Sequence, residues 1–330
     1  MNAKKVLAVA GLATLSLLAF SGCAKNVEYE SNRYEDLGAC NQILIDATSS
    51  NVTVLPSTDG QLSVQCKDLP KTKYYVGVQG DTLVVKYNPK WYERLFSGVA
   101  FGKDETSAVI YLPQGEYNKL TVDITSGSVE IPEGYTFGTA EIETTSGSLR
   151  FASDVLGELS AECTSGEIAL SGVDCNRLEA ECTSGEIALS GVHCAALEMD
   201  ATSGEITLSD VTVSGGLELD FTSGEISFSN VTAENACMEW TSGDVSANGL
   251  MVSQLMQISV TSGTMTFERC DAGSMKISLT SGSVRGTLLT PKNFSVRQGS
   301  GRVDVPDDGD GGACKITVTS GRVQLSIVEE

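Results

Sequence analysis

Leu178-Glu179-Ala180-Glu181-Cys182-Thr183-Ser184-Gly185-Glu186-Ile187-Ala188-Leu189 is the stretch whose reading decides the fold. Apolar and polar residues alternate before Thr183-Ser184-Gly185 and alternate again after it. A period of two on both sides gives two short strands, each with one buried face. The triplet recurs along the chain, with its glycine at Gly127, Gly147, Gly166, Gly185, Gly204, Gly224, Gly243, Gly263, Gly282, Gly301 and Gly321, at gaps of 19 or 20 residues. One copy is degenerate, Gly299-Ser300-Gly301. A fixed period in this range marks structural rungs that bury their apolar faces on one another. The expected fold is therefore all-β: a single parallel β-solenoid (β-helix) of 19–20-residue rungs. Right-handed winding is preferred over left-handed, as it is for parallel crossovers generally.

The pattern also holds down the columns. Five residues before each glycine stand Val122, Ile142, Ala161, Ala180, Met199, Leu219, Met238, Ile258, Ile277, Val296 and Ile316. Two residues after it stand Val129, Leu149, Ile168, Ile187, Ile206, Ile226, Val245, Met265, Val284, Val303 and Val323. Neither column contains a polar residue, so both point into a shared core. The last inward residue of the first strand (Cys163, Phe221, Trp240 or Val260) lies three before the glycine, an odd number of steps from the next inward position. A corner must absorb that break in alternation, and the eleven glycines are read as structural corners that tolerate φ > 0. The neighbouring serine is expected to bond the backbone that the corner leaves unpaired.

Residues 1–22 read as an export signal: Lys4 and Lys5 precede a continuous apolar run from Val6 to Phe20. Ser21-Gly22-Cys23 then resembles a bacterial lipobox, with Phe20 standing where that motif prefers Leu. The expectation is a lipoprotein signal peptide at 1–22 and lipidation of Cys23, with 23–36 as the lipidated N-terminus and a polar tether. The β-solenoid domain then spans 37–330, with irregular first rungs and a cap over 37–118 and regular Thr-Ser-Gly rungs over 119–330. A first rung is legible at Ile43–Val52, with Ser50 replacing the glycine, followed by a hairpin Tyr75–Tyr87 turning at Gly80-Asp81. Pro89, Trp91, Tyr92, Phe96 and Phe101 break the pattern and suggest an end cap or an exposed aromatic loop.

The chain has 330 residues and a net charge of −21, from 43 acidic against 22 basic residues. That balance argues against nucleic acid as a partner, which needs clustered Lys and Arg. The acids form columns: Asp123, Glu143, Glu162, Glu181, Asp200, Asp220 and Glu239 four before the glycine, and Glu167, Glu186, Glu205, Glu225 and Asp244 just after it. Three readings stay open for these ladders. They are a solvated, rod-separating face, a basic ligand or partner, or weak Ca²⁺ binding on Glu162, Glu181, Asp200, Asp220, Glu167, Glu186, Glu205 and Glu225. No other cofactor is implied. The last rungs turn basic, with Arg269, Lys276, Arg285, Lys292, Arg297, Arg302, Lys315 and Arg322. Asp307-Asp308-Gly309-Asp310-Gly311-Gly312 lacks the ligand spacing of a calcium loop and reads as a turn between rungs. Cys163 with Cys182, and Cys175 with Cys194, recur at the rung spacing and are expected as buried free thiols. His193 is the single histidine, which with the multiplicity of the triplet speaks against a serine nucleophile.

Val109-Ile110-Tyr111-Leu112-Pro113, then Leu120-Thr121-Val122 and the run of Thr-Ser-Gly rungs, resemble a bacterial surface family of adhesin-like proteins built on a domain of unknown function. The likeness spans about residues 40–330. It implies a β-solenoid at the cell envelope, often exported or lipid-anchored, with no accepted enzymatic activity. The expected function is a non-catalytic envelope lipoprotein, a binding, adhesion or scaffolding module on the cell membrane and facing outside the cytoplasm. Its partners would be the membrane through the N-terminal lipid, and an envelope or host glycan or protein. The alternatives are a polysaccharide-processing β-helix enzyme, disfavoured because the carboxylates are too uniform to separate acid from base, and a structural or envelope-stress component.

Overall fold

The computed structural model describes residues 29–70, 72–87 and 106–328. The rungs between Gly115 and Leu288 are each a longer strand, a Thr-Ser-Gly corner and a shorter strand, as in Asp174–Cys182 followed by Glu186–Ser190, except that Thr264–Leu279 runs unbroken from one rung into the next. Each strand pairs in parallel with its counterpart one repeat away, so that Ala161, Ala180, Met199 and Leu219 stack directly. The second column stacks in the same way through Ile168, Ile187, Ile206 and Ile226. Apart from Val296 and Val303 on the outermost rung, both columns are buried in one continuous apolar cluster. The fold is thus the expected parallel β-solenoid, all β among the described residues, with about 10 regular turns of roughly 20 residues. A single rung buries too little to stand alone; each buried Leu or Ile is worth about 1.5–3 kcal/mol only because a neighbouring rung covers it.

The two ends depart from simple succession. The rung formed by Gln42–Ala47 and Ser50–Pro56 lies between the rung of Thr82–Tyr87 and Ser107–Leu112 and that of Gly115–Ile124 and Gly127–Ile131. The chain thus builds its second position first, steps outward, then jumps back over it. The C-terminal end mirrors this. Ala313–Val318 inserts between Thr264–Leu279 and Asn293–Gln298, and Arg322–Ile327 between Ser283–Leu288 and Arg302–Asp304. Gly301 therefore stacks on Gly321, not on Gly282 as sequence order would have it. The outermost position also explains why Val296, a member of the apolar column, is 43% exposed.

Antiparallel strands cover the N-terminal end: Glu30–Tyr34 on Ser63–Asp68 on Ser107–Leu112, and the hairpin Tyr75–Gln79 on Thr82–Tyr87 with Gly80 at φ 65°. Residues 30–34 were expected to be tether and are instead a strand of this cover. At the C-terminal end the loop 305–312 returns the chain for its insertion, held by Gly309 N–H donating to Lys292 O at 2.9 Å and Phe294 N–H to Asp308 Oδ1 at 2.8 Å. Lys292, counted with the basic end from sequence, is only 2% exposed. Its Nζ meets Asp271 Oδ1 at 2.5 Å and donates to Ala272 O at 2.7 Å and Thr290 Oγ1 at 2.8 Å. It bolts the crossover to the stack, since a buried ammonium must be paired. Cys23, the leader 1–22 and the aromatic segment from Pro89 to Phe101 lie outside the described residues.

Candidate binding groove

The Thr-Ser-Gly corner is itself a ladder. Ser184 N–H donates to Thr164 O at 2.8 Å, Glu186 N–H to Gly166 O at 2.9 Å, and the same bonds repeat rung after rung. The serine hydroxyls add to it as expected, Ser203 Oγ donating to Thr183 O at 3.3 Å and Ser242 Oγ to Thr222 O at 3.3 Å. The glycines have two physical origins. At Gly127, Gly224, Gly243, Gly263 and Gly282 φ is positive, between 108° and 146°. At Gly147, Gly166, Gly185, Gly204, Gly301 and Gly321 it is not, which corrects the expectation of φ > 0 at every corner. There the requirement is space: a Cβ on Gly166 or Gly185 would overlap the carbonyl oxygen of the glycine one rung below.

Beside this corner runs a groove of about 820 Å³, lined from Asp123 to Thr319. One wall is the acid ladder four before the glycine, in which Asp123, Glu143, Glu162, Glu181, Asp200, Asp220 and Glu239 are consecutive register partners. The other side is the column of triplet threonines, including Thr164, Thr183, Thr202, Thr222 and Thr241. The floor holds Cys163, Cys182, Ala201, Phe221 and Trp240, the last two stacked with ring centroids 5.5 Å apart and planes 13° from parallel. Burial, then the neighbouring Glu143 and Glu181 carboxylates, hold Glu162 above the ordinary carboxylate range. Burial, then Glu239 and Asp200, do the same to Asp220. Like charges at strand spacing resist full ionisation, and an opposite charge laid along them would relieve that.

The second ladder, Glu167, Glu186, Glu205, Glu225 and Asp244, also stacks in register but lies on the other sheet, across the corner. The eight carboxylates read as weak Ca²⁺ ligands are thus split between two sheets. Among the described residues no three His, Cys, Asp or Glu come together closely enough to hold a metal ion. The strand register keeps the ladder carboxylates side by side and aimed alike, where chelation needs convergence. Sequence reasoning passed over a third acidic column two positions earlier, Glu141, Glu179, Glu198 and Glu218, in register with Ser160 among them. It was legible as a column with the same count back from each glycine. Parts of it are neutralised: Lys119 Nζ meets Glu141 Oε2 at 2.6 Å, and Arg177 bridges Glu158 and Glu198. The wall nearest the groove lacks such partners among the ion pairs of the described residues. His193 pairs with Asp174 at 3.0 Å on the surface, away from the groove lining.

A stack of parallel β-rungs with an acid-walled groove along its corner is an elongated β-solenoid. The chain belongs to the Toastrack DUF4097 family, whose profile matches residues 40–231 and 217–330. No curated protein matches it. Among solved structures it is similar to a candidate lipid-binding protein of Parabacteroides distasonis, at 16% identity over 91% of this chain and 98% of that one, TM-score 0.46. It is also similar to candidate adhesins of Bacteroides fragilis (13% identity, 91% and 97% covered, TM-score 0.34) and Parabacteroides merdae (10%, 91% and 97%, TM-score 0.42). These are distant likenesses, and no ligand passes from them to this chain.

Proposed function

We propose that this chain is a non-catalytic rod, anchored to the cell membrane through a lipid on Cys23 and facing outward, that binds an extended cationic ligand along its corner groove. The observation that carries the reading is the groove itself, about 820 Å³ and continuous beside the corner from Asp123 to Thr319. Its acids repeat at the strand spacing of about 4.8 Å, which suits a polymer or peptide bearing regularly spaced positive charges. The threonine column offers hydroxyls that donate or accept without imposing one sequence. Catalysis is disfavoured on chemical grounds. Glu162 and Asp220 are shifted the same way by the same causes, whereas acid–base work needs two carboxyls pushed apart.

The test is titration of the soluble domain, residues 24–330, with oligolysine and oligoglutamate of equal length, followed calorimetrically. Oligolysine should bind, weaken steeply with salt, and lose about tenfold or more in affinity when Glu162→Gln, Glu181→Gln and Asp220→Asn are combined. Oligolysine affinity unchanged in the triple variant would remove the groove from the reading. A fatty-acid analogue that still labels the full-length Cys23→Ala protein would remove the anchor.

A further inference from the structure

We propose that Cys163 and Cys182 form a redox-active dithiol on the groove floor, with Cys182 the attacking thiolate, Cys163 the resolving thiol and a low-molecular-weight disulfide the oxidant. The two residues end the longer strands of consecutive rungs and are direct register partners. Both are almost covered, 4% and 3% exposed, yet both line the groove, so the access they offer suits small solutes.

The corner that follows each cysteine supplies both room and polarity. Gly185 N–H donates to Cys182 Sγ at 3.0 Å. A Cβ on Gly185 would overlap Cys163 Sγ, so the glycine leaves room for that sulfur. One rung before Cys163, Thr144 Oγ1 accepts the equivalent N–H from Gly147 at 3.0 Å. The column position is therefore an acceptor seat that a sulfur occupies at both Cys163 and Cys182, with the Gly185 bond closing on Cys182. An acceptor seat favours the anion, and a thiolate is the reactive form. The interaction between the two thiols, together with the corner N–H groups of Gly185 and Ser184, lowers the Cys182 thiol below its ordinary value, while the same interaction and burial raise Cys163 against the N–H groups of Gly166 and Glu186. Cys175 and Cys194 are also register partners, but no backbone N–H joins their neighbour thiol in stabilising Cys194. That second pair is the internal comparison.

In the first step Cys182 gives its proton to solvent and its Sγ attacks one sulfur of the small disulfide, breaking the S–S bond to form a mixed disulfide, and one thiolate leaves and takes a proton from solvent. Cys163 then gives its proton to solvent, its sulfur attacks Cys182 Sγ, and the second thiolate departs and takes a proton from solvent. The protein loses two electrons and two protons, and the small disulfide becomes two thiols. Register partners stand about 4.8 Å apart with parallel side chains, wider than a relaxed disulfide. The bond therefore forms by drawing two rungs together and is readily reduced again.

Treating the soluble domain with oxidised glutathione and mapping peptides by mass should show Cys163 linked to Cys182, reversed by dithiothreitol. Iodoacetamide at neutral pH should modify Cys182 about tenfold faster than Cys163. Cys163→Ser should halt at a glutathione adduct on Cys182, and Cys182→Ser should leave Cys163 unmodified. Either serine fits a column that already holds Thr144 and Ala201, so folding is not at stake. The proposal is overturned by a folded protein that links neither cysteine at any glutathione ratio, by a Cys175–Cys194 link alone, or by an adduct on Cys163 in Cys182→Ser at the wild-type rate. None of these readouts involves the groove's ligand, so they stand or fall apart from the function proposed above.

Discussion

At Gly185 a methyl group would overlap the Gly166 carbonyl oxygen and the Cys163 sulfur, with no positive φ involved. Gly216, in the same stack, has nothing within 4 Å of its would-be Cβ and no positive φ. The two sites separate crowding from flexibility. Gly185→Ala should destabilise by about 1–3 kcal/mol, the cost of overpacking. Gly216→Ala should be neutral or stabilise by about 0.4–1 kcal/mol through the unfolded chain. Urea midpoints of the two variants check this, and equal midpoints would contradict the packing account. The repeated glycine was legible in the sequence because, among the rungs read there, only Ser50 at the first replaces it in the column, and so was the break in alternation. The cause was only half legible. Close approach between rungs leaves the same sequence mark as a left-handed φ, and coordinates alone tell Gly185 from Gly243.

At the scale of elements, the columns Ala161–Ala180–Met199 and Ile168–Ile187–Ile206 could be read from period and burial parity alone. The order of rungs at the ends could not. Every rung presents the same apolar face, so sequence favours the nearest neighbour in chain order, while the structure inserts 313–327 one place inward. Faint signals were present: the degenerate Gly299-Ser300-Gly301 copy and the acidic glycine-rich loop from Asp307. Among the described residues, Asn293–Gln298 and Arg302–Asp304 pair only with the inserted rung. Removing residues 313–330 should therefore strip protection from 293–304 while leaving 264–288 paired to its preceding rung. Hydrogen exchange read by mass spectrometry decides it. Continued protection of 293–304 in the truncated protein would mean that the rungs stack in chain order after all.

For the whole molecule, the net charge of −21 is concentrated along the rod and has a thermodynamic sign. Glu162 and Asp220 have folded pKa values raised above their unfolded ones, so the folded state holds their protons longer. Stability then falls as pH climbs from about 4, the unfolded carboxylate value, through the raised folded values, and their penalty is complete above them. The melting temperature should be higher near pH 5 than at pH 7, and added salt should narrow the gap. Glu162→Gln with Asp220→Asn should raise the pH 7 value and flatten the profile. Superimposed profiles would show that the ladder is too well solvated to matter. The acid columns were visible in sequence, but not that one of them walls a groove, because that depends on how far the corner stands proud of the sheet. The N-terminal interleaving has a mechanical consequence. A pull on the chain ahead of Gln42 can peel Glu30–Tyr34 from its edge bond by bond. It then meets a strand clamped along both sides, by Thr82–Tyr87 and by Gly115–Ile124. That strand can leave only by sliding lengthwise and breaking both ladders together, so load entering at this end is carried in shear by the rod's own body.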